Sequence, residues 1–231
     1  MTGARASAVP PPLQRNTFFF SDASLARLME IMYVQTYGPG QLLYSEGEPA
    51  VKLYYIRRGR VKITKSTEDG KVFTLHIYGT GDLFGQIDPS ETAVHNANAE
   101  AMEDCEIGVI QQKDLEILLW QHGDLAIEFM KWLGAMHRLT ETKFRDLMMY
   151  GKPGALCSTL IRLCNTYGEP VPNGIRITRK FTHSDLADMI SATRESVNRM
   201  LQELKKAGAV TTRGGYFVIT DLDYLKNVCH C

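Results

Sequence analysis

At 231 residues, 44% hydrophobic and 23% charged, the chain exceeds one small domain and suits two modest ones, each with its own core. Lys and Arg balance Asp and Glu at 26 each, which argues against binding nucleic acid by bulk charge, although residues 154–231 hold 10 basic against 7 acidic side chains and the remainder 16 against 19. No apolar run reaches the roughly 18 to 20 residues of a bilayer span or forms a secretion signal, and five scattered cysteines do not make a disulfide framework, so a cytoplasmic protein with reduced thiols and no membrane partner is expected.

Residues 1–16, with Ala8-Val9-Pro10-Pro11-Pro12, predict a loose arm. From Gln41 to Gln111, short β-rich runs alternate with turns. Leu53 to Ile56, Val61 to Thr64, Val72 to Ile77 and Cys105 to Ile110 have strand composition, and Arg58-Gly59, Asp69-Gly70 and Gly79-Thr80-Gly81-Asp82 punctuate them. The sum is a small antiparallel barrel or roll over residues 17–123. Asp124 to Tyr150 lacks proline, and Leu125, Phe129, Trp132, Met136 and Leu139 recur at alternating spacings of four and three. That spacing predicts a dimerisation helix over 124–150, with packing on the barrel as the alternative. The same register continues to the polar pair Lys143 and Asp146. Gly151-Lys152-Pro153-Gly154 then predicts a hinge opening a second domain, 151–231, in which a short helix (about Ala155 to Thr166) and a strand (Ile175 to Ile177) lead to Thr182.

Residues 182–207 carry the strongest chemical signal. Thr182 can cap one helix and Thr193 a second, with a break at Ile190-Ser191-Ala192 and the small Ala187 where the two helices approach. Val197, Met200, Leu201 and Leu204 line one face of the second helix, which leaves Arg194, Glu195, Ser196, Asn198 and Arg199 for solvent. Those types suit a major groove: arginine pairs with guanine, glutamate accepts from cytosine, and serine or asparagine reaches bases or phosphates. Thr182, Ser184, Thr193 and Arg213 join them as candidate DNA contacts, Arg213 at the tip of a hairpin wing turned by Gly214-Gly215. An intrahelical Glu195–Arg199 ion pair is the competing reading. Cys157 and Cys164, seven apart, read as buried core.

The order of parts, with Leu53-Tyr54-Tyr55-Ile56-Arg57-Arg58-Gly59-Arg60-Val61, Gly81-Asp82-Leu83-Phe84-Gly85 and Thr193-Arg194-Glu195-Ser196-Val197-Asn198-Arg199, resembles the Crp/Fnr regulator family. The resemblance implies an α+β chain: a cyclic-nucleotide-binding-like antiparallel β-roll acting as sensor, a long dimerisation helix and a C-terminal winged helix-turn-helix. It implies a homodimer on an inverted repeat of TGTGA-like half-sites, with RNA polymerase as partner if it activates. Gln86 and His95-Asn96 stand where the cyclic-AMP branch carries a glutamate and an Arg-Ser pair, so cyclic AMP is not expected. Phe129-Met130-Lys131-Trp132, Arg145-Asp146-Leu147 and Ser158-Thr159-Leu160-Ile161-Arg162-Leu163 resemble the Fnr proteins of Bacillus and relatives, in which three C-terminal cysteines and a helix aspartate hold a 4Fe–4S cluster and sense oxygen or redox state. That likeness makes Asp146, Cys229 and Cys231 candidate ligands. Two cysteines fall short of three, so the ligand set is shortened, the cluster is lost, or His230 contributes. Other classes stay open: an effector-responsive regulator without a cluster, or an interaction module lacking specific DNA binding. An enzyme is not expected, since there is no phosphate-binding glycine loop, HExxH or nucleophile elbow.

Overall fold

The computed structural model describes residues 16–70, 72–87 and 92–229. Residues 1–15 of the expected arm, and His230 and Cys231, lie outside the described residues. Asn16, counted with the arm by sequence, is fixed instead: its backbone N–H donates to Asp82 Oδ1 at 2.9 Å and its side chain exchanges bonds with the Leu83 backbone.

The first domain is a two-sheet roll with helices on one side. After α1 (Asp22–Glu30) come β1 (Tyr33–Tyr37), β2 (Leu42–Tyr44), β3 (Lys52–Arg58), β4 (Arg60–Ser66), β5 (Val72–Gly79), β6 (Leu83–Gly85), β7 (Asn98–Ala101) and β8 (Cys105–Gln111). One sheet has the order β1-β8-β3-β6 and the other β2-β7-β4-β5. Strand β3 explains why Leu53 to Ile56 is a continuous apolar run. Tyr54 and Ile56 point between the sheets, while Leu53 and Tyr55 meet the helices behind, so both faces are buried. Gly59 turns β3 into β4 with φ +97, and a Cβ there would lie 2.6 Å from Cys105 Sγ.

Helix α2 (Gln112–Gln121) and the start of α3 (Gly123–Tyr167) cover the rear of the roll. The expected seam is corrected in its partner: Leu125, Phe129 and Trp132 are at most 3% exposed, packed with Phe20, Leu28 and Leu115, and Met136 borders the same cluster. The barrel occupies that face, and Leu139, half-buried, lies beyond the cluster. Spacing located an apolar stripe correctly but carried no information about what covers it. The opposite face has its own alternation of three and four through Ile127, Met130, Gly134, His137, Glu141, Phe144 and Met148. Ile127, Met130, Phe144 and Met148 are each more than half exposed.

The predicted stop after Tyr150 is a single-residue break. Gly151 takes φ +58 and ψ −160, a conformation that glycine reaches without a Cβ penalty, and helical structure resumes at once with Pro153 in the first turn of the new segment. The second domain continues through β9 (Gly168–Val171), β10 (Gly174–Ile177), α4 (His183–Met189), α5 (Arg194–Lys206), β11 (Val210–Arg213), β12 (Tyr216–Ile219) and α6 (Leu222–Cys229). Its sheet runs β11-β12-β10-β9. Its core gathers Leu156, Leu160, Leu186, Val197, Leu201 and Leu225, each fully buried, with Cys157 and Cys164 among them. No described helix is long and apolar enough to cross a membrane.

Candidate nucleic-acid interface

Local chemistry sets both ends of the helix-turn-helix. Thr182 Oγ1 accepts the Asp185 N–H at 3.0 Å and Asp185 accepts the Thr182 N–H at 2.7 Å, a reciprocal cap that starts α4. Thr193 caps α5 by accepting the Ser196 N–H at 3.2 Å. Between them Ser191 adopts φ 51, a left-handed position that turns the chain sharply enough for Ala187 to meet the second helix. Val197, Met200, Leu201 and Leu204 anchor α5, as their spacing predicts.

The other face of α5 is open. Arg194, Glu195, Asn198 and Arg199 are exposed and Ser196 is half-buried. Among the described residues no hydrogen bond or ion pair joins Glu195 to Arg199, so the intrahelical pair is not formed and both groups are available to base edges. Thr182 and Ser184 lie exposed at the start of α4. Each capping hydroxyl accepts one bond and retains a proton to donate to phosphate.

The wing brings in residues that sequence reading missed. Exposed Arg213 ends β11, and Tyr216 of β12 is flanked by Arg176 of β10 at 5.8 Å and Lys180 at 5.2 Å from its ring centroid. Pairing of β10 with β12 creates that basic group across some forty residues of sequence, where no local motif signals it. Behind the interface, α4 packs on β5. Arg179 donates to the Tyr167 hydroxyl at 3.0 Å and lies 3.9 Å from Glu103, whose carboxylate also takes two bonds from Arg60 at 3.0 and 3.3 Å. The Arg60 guanidinium holds the Glu103 carboxyl below the usual carboxylate range.

In the roll, Gln86, His95 and Asn96 stand where the cyclic-AMP branch carries its nucleotide contacts. Gln86 and Asn96 are exposed, and His95 is 2% exposed, stacked on Tyr44 with centroids 3.6 Å apart. Burial lowers the His95 pKa and favours the neutral ring. From Tyr44 the aromatic contacts continue through Tyr54, Phe84 and Tyr78 to His76, each pair within 5.3 Å. His76 Nδ1 then meets Lys143 Nζ at 2.7 Å, so the column ends on the long helix.

The iron–sulfur ligand set does not fit the described residues. Asp146 is 1% exposed and its carboxylate is already engaged: Arg145 donates at 2.9 Å, Ser158 Oγ makes a short bond, and Arg162 Nη1 approaches at 3.4 Å. Asp146 thus pairs with its neighbour Arg145 and with Ser158 and Arg162 from beyond the hinge, and not with Lys143, which shares its helix register. Cys229 is fully buried in the second domain's core, its thiol donating to the Leu225 carbonyl at 3.2 Å. Among the described residues no three His, Cys, Asp or Glu side chains converge on a metal position, and Cys231 lies outside them. In this arrangement the Asp146 carboxylate is held among three donors and the Cys229 thiol lies inside the second domain's core, so the two do not face a common metal position.

A winged helix-turn-helix with an open polar recognition face, tied by a long helix to an antiparallel roll, defines a two-domain DNA-binding transcription regulator. Family models agree: residues 34–122 match the cyclic nucleotide-binding domain and residues 154–228 the Crp-like helix-turn-helix domain. The chain is 42% identical over 191 residues to the anaerobic regulatory protein of Bacillus subtilis (strain 168), covering 82% of this chain and 80% of that protein. It is 24% identical over 203 residues to the CRP-like cAMP-activated global transcriptional regulator of Mycobacterium tuberculosis (strain H37Rv), covering 88% and 91%. Among solved structures, a CooA mutant from Carboxydothermus hydrogenoformans superposes with TM-score 0.75 at 24% identity, covering 87% and 89%. FixK2 from Bradyrhizobium japonicum gives 0.72 at 21%, covering 86% and 97%. The chain belongs to the Crp/Fnr family of transcription regulators, which are not enzymes.

Proposed function

We propose that this chain acts as a homodimer reading an inverted repeat of TGTGA-like half-sites, with RNA polymerase as its partner where the complex activates. The observation that carries the reading is the unpaired Glu195 and Arg199, one turn apart on a doubly anchored helix, with Arg194 beside them. Two-fold symmetry presents two such helices, whose half-sites lie about one helical turn, roughly 34 to 36 Å, apart. The dimer contact is assigned to the exposed face of α3 through Ile127, Met130, Phe144 and Met148, because the opposite face is spent on the roll. Cyclic AMP is not its effector in this reading, because a neutral buried His95 replaces the cation that would pair with a cyclic phosphate.

The test is a titration of the full chain with an inverted-repeat duplex and a scrambled one at one salt concentration. About a thousandfold preference or more is expected, and equal affinity contradicts the reading.

Likeness to the anaerobic regulatory protein favours a second, finer reading, control by oxygen or redox state. It predicts different cognate-DNA affinity for protein kept anaerobic and protein exposed to air. Identical affinities contradict it.

A further inference from the structure

Asp146 and Ser158 are hydrogen-bonded, yet they are twelve residues apart in helical chain. In a straight helix that separation is about 18 Å along the axis, and the sixteen residues to Arg162 span about 24 Å. The contact exists because Gly151 breaks the helix and folds its second segment back on the first. We propose that Asp146 is the anion of an intrachain hinge lock, holding the DNA-binding domain to the long helix through Ser158 and Arg162, rather than a metal ligand.

The lock is built as a closed polar unit. Arg162 donates to Ser158 Oγ at 2.6 Å and to Thr159 Oγ1 at 2.7 Å while facing Asp146, so the cation is itself aimed by the first turns after the hinge. Arg145 closes the solvent side of the carboxylate, with half its side chain exposed. One turn earlier, Lys143 Nζ meets His76 Nδ1 and approaches the Leu75 carbonyl at 3.4 Å, which fastens the same stretch of helix to β5 of the roll. Arg162 therefore sits near two basic groups, Lys143 and His76, and Asp146 is the anion that faces Arg162 at 3.4 Å. Neutralising Asp146 leaves Arg162 beside Lys143 without compensation, and rotation about Gly151 relieves that repulsion. The packing of the DNA-binding domain on the long helix thus depends on this carboxylate, beside the contacts of α4 and Arg179 with the roll.

Amide hydrogen exchange of the full chain, read by mass spectrometry over residues 147–162, tests the lock without using DNA, so its outcome is independent of the base-reading test. Asp146→Asn and Arg162→Gln are each expected to speed exchange there about tenfold, as losing a charged hydrogen bond implies, while β3 and β8 exchange as in wild type. The double variant is expected to fall short of the product of the two singles, because both remove the shared Asp146–Arg162 contact. Should β3 and β8 also exchange faster, Ser158→Ala decides: it keeps both charges and is expected to give a smaller, local increase. Unchanged exchange in Asp146→Asn, a double variant equal to the product of the singles, or no local increase in Ser158→Ala overturns the lock. So does anaerobically reconstituted wild type whose iron and visible absorbance are lost in Asp146→Asn.

Discussion

Two stretches of the molecule use the same side-chain chemistry in opposite ways. On α5, Glu195 and Arg199 stand one turn apart in solvent and touch no other side chain by hydrogen bond or ion pair among the described residues. At the hinge, Asp146 and Arg162 are sixteen residues apart, and the carboxylate is 1% exposed and shared among three donors. A charged group with its bonding capacity open is prepared for a ligand, whereas one whose capacity is filled inside the chain is a fastening. The contrast separates DNA-reading residues from hinge residues, and it can be broken at either end.

The largest effects are expected on the buried side. Trp132→Ala empties a site between Phe20 and Phe129 and is expected to cost about 3 to 5 kcal/mol in urea unfolding. Met130→Asp, on the opposite face of the same helix, is expected to leave the monomer fold intact and shift sedimentation toward monomer. If Met130→Asp unfolds the chain and Trp132→Ala only dissociates it, the two faces have been assigned the wrong way round. Asp146→Asn is expected to cost about 1.5 kcal/mol, the loss of one charged hydrogen bond, while cognate-to-scrambled DNA preference is retained.

A smaller effect concerns pH. Burial, with Arg162 adding repulsion, lowers the Lys143 pKa from 10.5 to about 7. Between these values the unfolded chain binds more protons than the folded one, so this group makes stability rise with pH across that window. Its penalty is full below about pH 7 and fades as pH rises. Lys143→Met is therefore expected to stabilise the protein by about 1 kcal/mol at pH 7 and to close the gap to wild type as pH approaches 8.5. Urea midpoints of both proteins at pH 7.0 and 8.5 check it, and a gap that widens has the wrong sign. Smallest of all, Thr193→Ala should cost about 1 kcal/mol of stability through the lost cap on α5.

The recognition element was legible because its determinants are local: two threonine caps three residues from their partners, and a 3-4 apolar pattern on α5. The four strands predicted in the roll are present for the same reason, whereas β1, β2, β6, β7, β9, α1, α2 and α6, short or weakly patterned, were not predicted. The long helix shows where such reading stops. Its stripe at Leu125, Phe129 and Trp132 was visible, but the partner was the roll, because periodicity identifies a face and not its neighbour. Asp146 was singled out by resemblance as a cluster ligand. Its actual partners, Ser158 and Arg162, are delivered by the Gly151 break, and the basic wing residues Arg176 and Lys180 by strand pairing. Neither leaves a trace in local spacing.

The central claim is that α5 reads bases, and Arg199→Ala tests it most directly. Wild type and variant are titrated against the TGTGA-type inverted repeat and a scrambled duplex at one fixed salt concentration. The variant is expected to lose about 1 to 3 kcal/mol per half-site on the inverted repeat and almost nothing on the scrambled duplex. Equal losses on both duplexes would make Arg199 a phosphate contact and contradict base reading by this helix.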